Sequence, residues 1–282
     1  MTVLRIALLQ ASAALGDVAA NLARVDERAA EAAAAGAQLL ITPEMFLTGY
    51  ELGDQTPAAA ARAAEEVLPG AAAVARRYGV ALLVGLPEVD AAGRVVNTAV
   101  LLDERGEVVG RHVKTHLFGA AEREQFTPGE RGVTLVDLHG VRIAVLICYD
   151  VEFPEVVRAA AAAGAHLVAV PTAQMEPFSF VAETVVRTRA WENQVYVAYA
   201  NHTGSERTLS YVGRSSVVAP SGQVLAAAVD GDALLLAEVD TAVVERGHRD
   251  NPYLADRRLD LHPGPALDAA LHLTDDSDGR RA

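Results

Sequence analysis

The stretch "VRIAVLICYDVEFPEVVRAAAAAGAHLVAV", Val141 to Val170, changes character twice. From Val141 to Ile147 every residue but Arg142 is apolar, the pattern of a strand buried on both faces. Pro154, with φ already helical and no N–H to lose, suits the first turn of a helix running to about Ala163. A second apolar run over 166–171 reads as the next strand. At the first junction stands Cys148, the only cysteine in the chain. Asp150, Glu152 and Glu155 follow within a few positions. Like charge opposes a thiolate, so the placement demands a compensating cation or a nearby base.

Working outward, the same alternation recurs. "VLRIALLQ" (3–10) reads as a buried strand rather than a signal segment, because Arg5 interrupts its apolar run. A helix over 18–36 ends at Gly36, and a strand over 37–42 leads into the loop "PEMFLTGYELGDQ". A helix over 57–78 ends at Gly79, followed by a strand over 80–90. Residues 93–114 read as a hairpin turning at Glu104–Gly106, then a long aromatic loop covers 115–132. Strands at 133–138 and 195–200, a helix at 178–193 and a run of strands over 211–240 complete the pattern. Strands alternating with helices, joined by antiparallel hairpins, predict one mixed-sheet α/β domain over 1–262. The acidic stretch 263–282 reads as a flexible tail.

Composition narrows the function. A formal net charge of −13 argues against a nucleic-acid or anionic-membrane partner. No apolar run is long enough to span a bilayer. A lone cysteine cannot close an internal disulfide, which predicts a reducing, cytoplasmic setting. The cations are 24 in number, and Lys114 is the single lysine among them. In a chain that uses arginine wherever a positive charge suffices, a surviving ammonium marks a place where a planar fork does not serve.

Three residues invite chemistry. Cys148 lies beyond the carboxyl end of a strand, where α/β sites form, although a core thiol is an equally ordinary reading of that position. Glu44 follows "LLITP" at another strand end, and by itself it reads as a residue favouring a helix dipole. Lys114 follows a third strand-like run. His112 and His116 flank it at a metal-ligand spacing, but an ammonium between them repels a cation, so no metal is expected. Together, thiol, carboxylate and ammonium make a set for acyl transfer. The carboxylate takes the thiol proton, and the ammonium offsets the charge that would block ionisation.

These segments resemble the nitrilase superfamily of carbon–nitrogen hydrolases. The resemblance is carried by "ITPEMFLTGY" around Glu44, "RHVKTHLFGAAEREQFTPGE" around Lys114 and "VLICYDVEFPE" around Cys148. "RIALLQ", "RTRAWENQVYVAYANHTG" and "GRSSVVAPSGQVLA" add to it, so that it covers about residues 3 to 260. It implies a four-layer αββα sandwich with two mixed β-sheets, pairing as αββα–αββα into a homodimer or a larger homo-oligomer. It also implies a Glu44–Lys114–Cys148 catalytic set without cofactor, with Glu122, or in another register Glu124, as a second glutamate. The backbone amide of Tyr149 joins Lys114 in holding an oxyanion. The expected reaction is hydrolysis of a small carboxamide to an acid and ammonia through a thioester.

The residues after the thiol bear on the substrate. Tyr149 follows Cys148 as in amidase-like members, whereas true nitrilases resemble Cys-Trp-Glu there. Relatives that bind carboxylate-bearing substrates place arginine shortly before the Phe-Pro-Glu, where this chain has Val151 and Glu152. Glu152 facing the pocket would favour a neutral or amine-bearing amide; Glu152 facing solvent or paired with an arginine would favour neither. Tyr50, Phe118, Tyr149, Glu152 and Gln174 are candidate substrate contacts, and Phe46, Phe126, Met175 and Phe178 candidate apolar walls. Alternatives are an N-carbamoyl amine hydrolase, a nitrilase, or, from another class, a non-catalytic dimeric binding module.

Overall fold

The computed structural model describes residues 1–261 and 271–273. The first half runs β1 (Val3–Gln10), α1 (Val18–Ala34), β2 (Leu39–Ile41), α2 (Thr56–Ala61), α3 (Leu68–Tyr78), β3 (Ala81–Val89), β4 (Val95–Leu102), β5 (Val108–Val113) and a short α4 (Gly119–Gln125). The second half runs β6 (Val133–Leu138), β7 (Val141–Val145), α5 (Pro154–Ala162), β8 (Leu167–Thr172), α6 (Val186–Asn193) and β9 (Tyr196–Asn201). It continues through a small hairpin, β10 (Ser205–Glu206) and β11 (Leu209–Ser210), to β12 (Ser216–Val218), β13 (Val224–Ala227), β14 (Ala233–Asp240), α7 (Thr241–Asp250) and β15 (Leu271–Leu273).

Two mixed sheets result. The first has the order β14-β1-β2-β3-β4-β5 and the second β13-β12-β9-β8-β7-β6-β15. Strand β14 crosses from the second half of the chain to pair antiparallel with β1, Val3 opposite Asp240, which ties the halves together.

Three apolar clusters fill the spaces between four layers. Leu4, Ile6, Leu8, Ile41 and Leu83 meet Ile143, Val145, Ala169 and Ala198 between the sheets. The alternate residues Ala7, Leu9, Leu40, Leu82 and Val84 pack under α1 and α3. On the far side Ala144, Leu146, Val168 and Val197 pack under α5 and α6. Successive side chains on a strand point to opposite faces, and here both faces are covered. That is why these strands read as unbroken apolar runs rather than as alternation. The αββα sandwich follows from this layering.

The structure departs from the sequence reading in several places. The helix expected over 57–78 is two helices joined by a π turn, Ala63–Val67, because Pro69 has no N–H to continue the ladder. The helix expected over 178–193 likewise opens with a π turn at Val181–Val185 before α6. The loop 115–132 contains α4, and α7, capped by Asp240 accepting from the Ala242 amide at 2.9 Å, occupies a stretch left unassigned. The expected tail 263–282 lies outside the described residues, apart from β15, which pairs in parallel with β6.

Candidate active site

Four polar side chains that the sequence reading singled out converge where strands end. Glu44 follows β2, Lys114 follows β5, and Cys148 and Gln174 lie just past β7 and β8. Glu44 and Lys114 therefore come from one sheet and the thiol from the other.

Glu44 sits in a turn pressed against β3. A Cβ at Gly85 would lie 2.3 Å from the Met45 nitrogen and 2.9 Å from the Pro43 oxygen, so only glycine admits the turn at this depth. The second sheet grips the same turn. The Glu44 amide donates to the Thr172 carbonyl at 3.2 Å, and His202 Nε2 reaches the Glu44 carbonyl at 2.6 Å. Burial holds the His202 imidazole neutral by lowering its pKa, so Nε2–H donates to that carbonyl.

Lys114 is fully buried. Its Nζ donates to Glu44 Oε1 at 2.8 Å and to Glu122 Oε1 at 2.6 Å. Asn97 Nδ2 also donates to Glu44 Oε1, at 2.8 Å, which leaves Glu44 Oε2 buried with no partner. Glu122 occupies the first turn of α4, accepts from the Tyr50 hydroxyl at 2.8 Å, and is buried where Glu124 is exposed.

The electrostatics follow from two carboxylates sharing one ammonium. Burial opposes the Lys114 charge, but Glu44 and Glu122 outweigh it and hold the ammonium protonated well above its ordinary range. Burial pushes the Glu44 carboxyl up, Lys114 pulls it down and Glu122 adds to the rise, for a net upward shift. Burial, then the Glu44 charge, push the Cys148 thiol well up; Lys114 and the Ala173 backbone amide act against them. At rest the sulfur is therefore a neutral thiol. It ionises favourably when the proton moves to an acceptor within the site, since the cluster's total charge is then unchanged.

Cys148 itself has φ +46°, a left-handed conformation that costs a non-glycine residue about 1–3 kcal/mol and clusters at functional sites. It opens a 3₁₀ turn, Cys148–Glu152, so the amides closest to the thiol belong to that turn and not to α5, as the sequence had suggested. Arg189, buried in α6, caps the turn from below: Nε donates to the Val151 carbonyl at 2.9 Å and Nη2 to the Glu152 carbonyl at 2.6 Å.

The three carboxylates after the thiol part company. Glu155 is exposed at the start of α5, and Glu152 lines the cavity in front of the sulfur. Asp150 turns away into a buried hydrogen-bond cluster with Thr115, His112 and His116, the two histidines that flank Lys114. Tyr50, Phe118, Tyr149, Gln174, Met175 and Phe178 complete a small cavity in front of the sulfur. Phe46 and Phe126, expected as walls, are core residues instead: Phe46 packs under the helices of the first sheet and Phe126 against Met45, Leu52 and Leu117.

Asn97, Arg189 and His202 escaped the sequence reading. Each acts through a carboxylate or a carbonyl far away in the chain, and no spacing pattern records such contacts.

The chain belongs to the carbon–nitrogen hydrolase family, whose model matches residues 5–249. Within the nitrilase superfamily it falls on the amidase-like branch, and it is a cysteine-dependent amidase. It is 43% identical over 262 residues, 92% of this chain and 90% of the relative, to the "Hydrolase in pqqF 5'region" of Pseudomonas protegens. It is 35% identical to an (R)-stereoselective amidase of a Pseudomonas species, across 99% of this chain and 97% of that one. An amidase from Nesterenkonia sp. AN1 superposes with a TM-score of 0.84 at 40% identity, covering 92% of this chain and 98% of that one. Structures of its mutants show acrylamide added covalently at the active-site cysteine and, separately, a complex with butyramide.

Proposed function

We propose that the protein hydrolyses small carboxamides that are neutral or carry an amine, with Cys148 as nucleophile, Glu44 as general base and acid, and Lys114 as oxyanion partner. The observation that carries the roles is the unpartnered Glu44 Oε2, buried on a carboxylate that holds the Lys114 ammonium and whose charge bears on the Cys148 thiol. In this scheme Glu44 accepts the Cys148 proton as sulfur attacks the amide carbon. Lys114 and the Tyr149 amide hold the tetrahedral oxygen. Glu44 then gives its proton to the departing ammonia and activates the water that cleaves the thioester. Glu122 holds Lys114 against Glu44. No step calls for a metal or an organic cofactor.

The cavity supports a short acyl group, since Tyr50, Phe118, Tyr149 and Phe178 close in on the space in front of the sulfur. Glu152 supports the charge preference. Its side chain lines the cavity with no hydrogen bond or ion pair among the described residues, and burial raises its pKa. An incoming ammonium would relieve that carboxylate, and an incoming carboxylate would be repelled. Pairing of two copies through the helical faces accords with the apolar surface that α6 and its neighbours leave exposed, including Trp191 and Tyr253.

Ammonia release from butyramide, glycinamide, succinamate, an N-carbamoyl amine and butyronitrile tests this reading, with intact mass reporting an acyl adduct on Cys148. Butyramide and glycinamide should turn over and succinamate should not. In Glu152→Gln, the preference for glycinamide over butyramide should fall about fivefold, the scale of a partly exposed ion pair. Best turnover of succinamate or of the nitrile would refute the proposal.

A further inference from the structure

We infer that Asp150 is a positioning residue for the amidase reaction, a buried carboxylate that fastens the Lys114 turn of one sheet to the Cys148 turn of the other. This rests on the roles proposed for Lys114 and Cys148.

Lys114 is the last residue to be held by its own sheet, through its amide on the Asn97 carbonyl at 2.9 Å, while its carbonyl accepts from the Gly129 amide of the loop before β6 at 2.8 Å. Beyond it the chain turns away, and Asp150 takes over. Oδ1 accepts from the Thr115 amide at 3.2 Å, the Thr115 hydroxyl at 2.7 Å, the His116 amide at 2.9 Å and His116 Nδ1 at 2.8 Å. Oδ2 takes one donor from each sheet, His112 Nε2 from β5 and the Ile147 amide just ahead of the nucleophile, at 3.2 and 3.1 Å. One side chain, two residues from the sulfur, thus binds the residues on both sides of Lys114.

Apart from the bonds that Thr172 and His202 make to the Glu44 turn, the remaining contact between the sheets is largely apolar. Apolar contact is non-directional and tolerates small slides of one sheet over the other. Hydrogen bonds to a carboxylate are short and directional. A misplacement of about 1 Å in a reacting site costs about 10²-fold in rate, so a clamp at this point sets the separation on which oxyanion binding depends. Asp150 does not itself face the substrate: both its oxygens are occupied by donors from the two turns it joins.

Asp150→Asn keeps the shape but supplies an NH₂ where donors converge. The expected result is a kcat for butyramide lower by about 10²-fold with KM changed less than about threefold. Thr115→Val removes one hydroxyl donor without burying an unpaired charge, and it should lower kcat about tenfold. Thr115→Ser restores the hydroxyl and should restore kcat. Alkylation of Cys148, the only thiol, by iodoacetamide reads the same geometry without turnover and should slow and recover in the same order. Wild-type kcat in a folded Asp150→Asn protein, or equal losses in Thr115→Val and Thr115→Ser, would overturn the inference. If Asp150→Asn does not fold, the Thr115 pair decides. Failure of the wild type to release ammonia from any amide would count against the amidase reading alone, because the alkylation rates still judge Asp150.

Discussion

Two carboxylates, Glu44 and Asp150, lie buried near the nucleophile, and their pKa values shift in opposite directions. Glu44 accepts two hydrogen bonds on one oxygen and none on the other. Burial dominates and its pKa rises. Asp150 is as deeply buried, yet hydrogen bonds from His112, His116 and Thr115 outweigh burial and hold it well below the usual carboxylate range. Depth alone does not decide the charge of a buried acid; the number of donors aimed at it does. The contrast separates a group poised to take a proton from one that stays charged and holds the frame.

Substitutions can break this contrast. The largest effect belongs to the nucleophile itself. Cys148→Ser should lose turnover on the order of 10⁶-fold, the scale on which a hydrolase loses activity with its nucleophile, measured as ammonia release from butyramide. Near-normal turnover would remove the chemical role of the whole cluster. Glu44→Gln should cost about 10²–10⁴-fold in kcat, the range for a general acid–base group. Its thermal midpoint should hold, because glutamine still accepts from Lys114 and Asn97. A variant that loses stability but keeps kcat would make Glu44 a structural anchor and not the base.

Lys114→Arg preserves the charge and should still lower kcat about 10²–10³-fold, the scale of a lost oxyanion donor. The niche between Glu44 and Glu122 admits a compact ammonium, and a guanidinium fork carries its donors elsewhere. Retained activity would mean that charge suffices and position does not.

The smallest effect is on acid stability, where the groups act in sequence. His202 has its pKa lowered by burial below the ordinary 6.5. Once the pH falls through that unfolded value, the unfolded chain takes up a proton that the folded one resists, and stability declines. Asp150 acts later. Its folded pKa lies below the ordinary 3.8, so its contribution is complete above 3.8 and is lost as the pH falls toward the folded value. His202 should therefore lower the thermal midpoint between pH 7 and pH 5, as should His166, whose pKa burial also lowers, whereas Glu44, whose pKa is raised, gains stability as it protonates. His202→Asn, which keeps a donor for the Glu44 carbonyl, should flatten that first decline; an unchanged slope would place the acid sensitivity elsewhere.

Much of this was legible in the chain. Apolar runs ending in Glu44, Lys114 and Cys148 identify strands with polar residues at their carboxyl ends, and a lone lysine among arginines stands out by composition. Glu122 came into view through the motif around Lys114, and burial sets it apart from Glu124. The π turn before Pro69 and helix α7 were harder to read, since one needs the backbone path and the other is a short, mostly polar segment interrupted by Gly247. Gly85 could not be read as the seat of the Glu44 turn, because its neighbour there is forty residues away. Phe46 and Phe126 look like pocket aromatics in sequence, where nothing distinguishes a wall from a core.

By itself, the sequence determined the layers and the chemical inventory: buried strands that must be covered on both faces, and a thiol, an ammonium and carboxylates at their ends. Only the tertiary structure decided which acid does what. Whether a carboxylate keeps or yields its proton depends on donors brought to it from other strands and turns, and those arrive only when the two sheets close on each other.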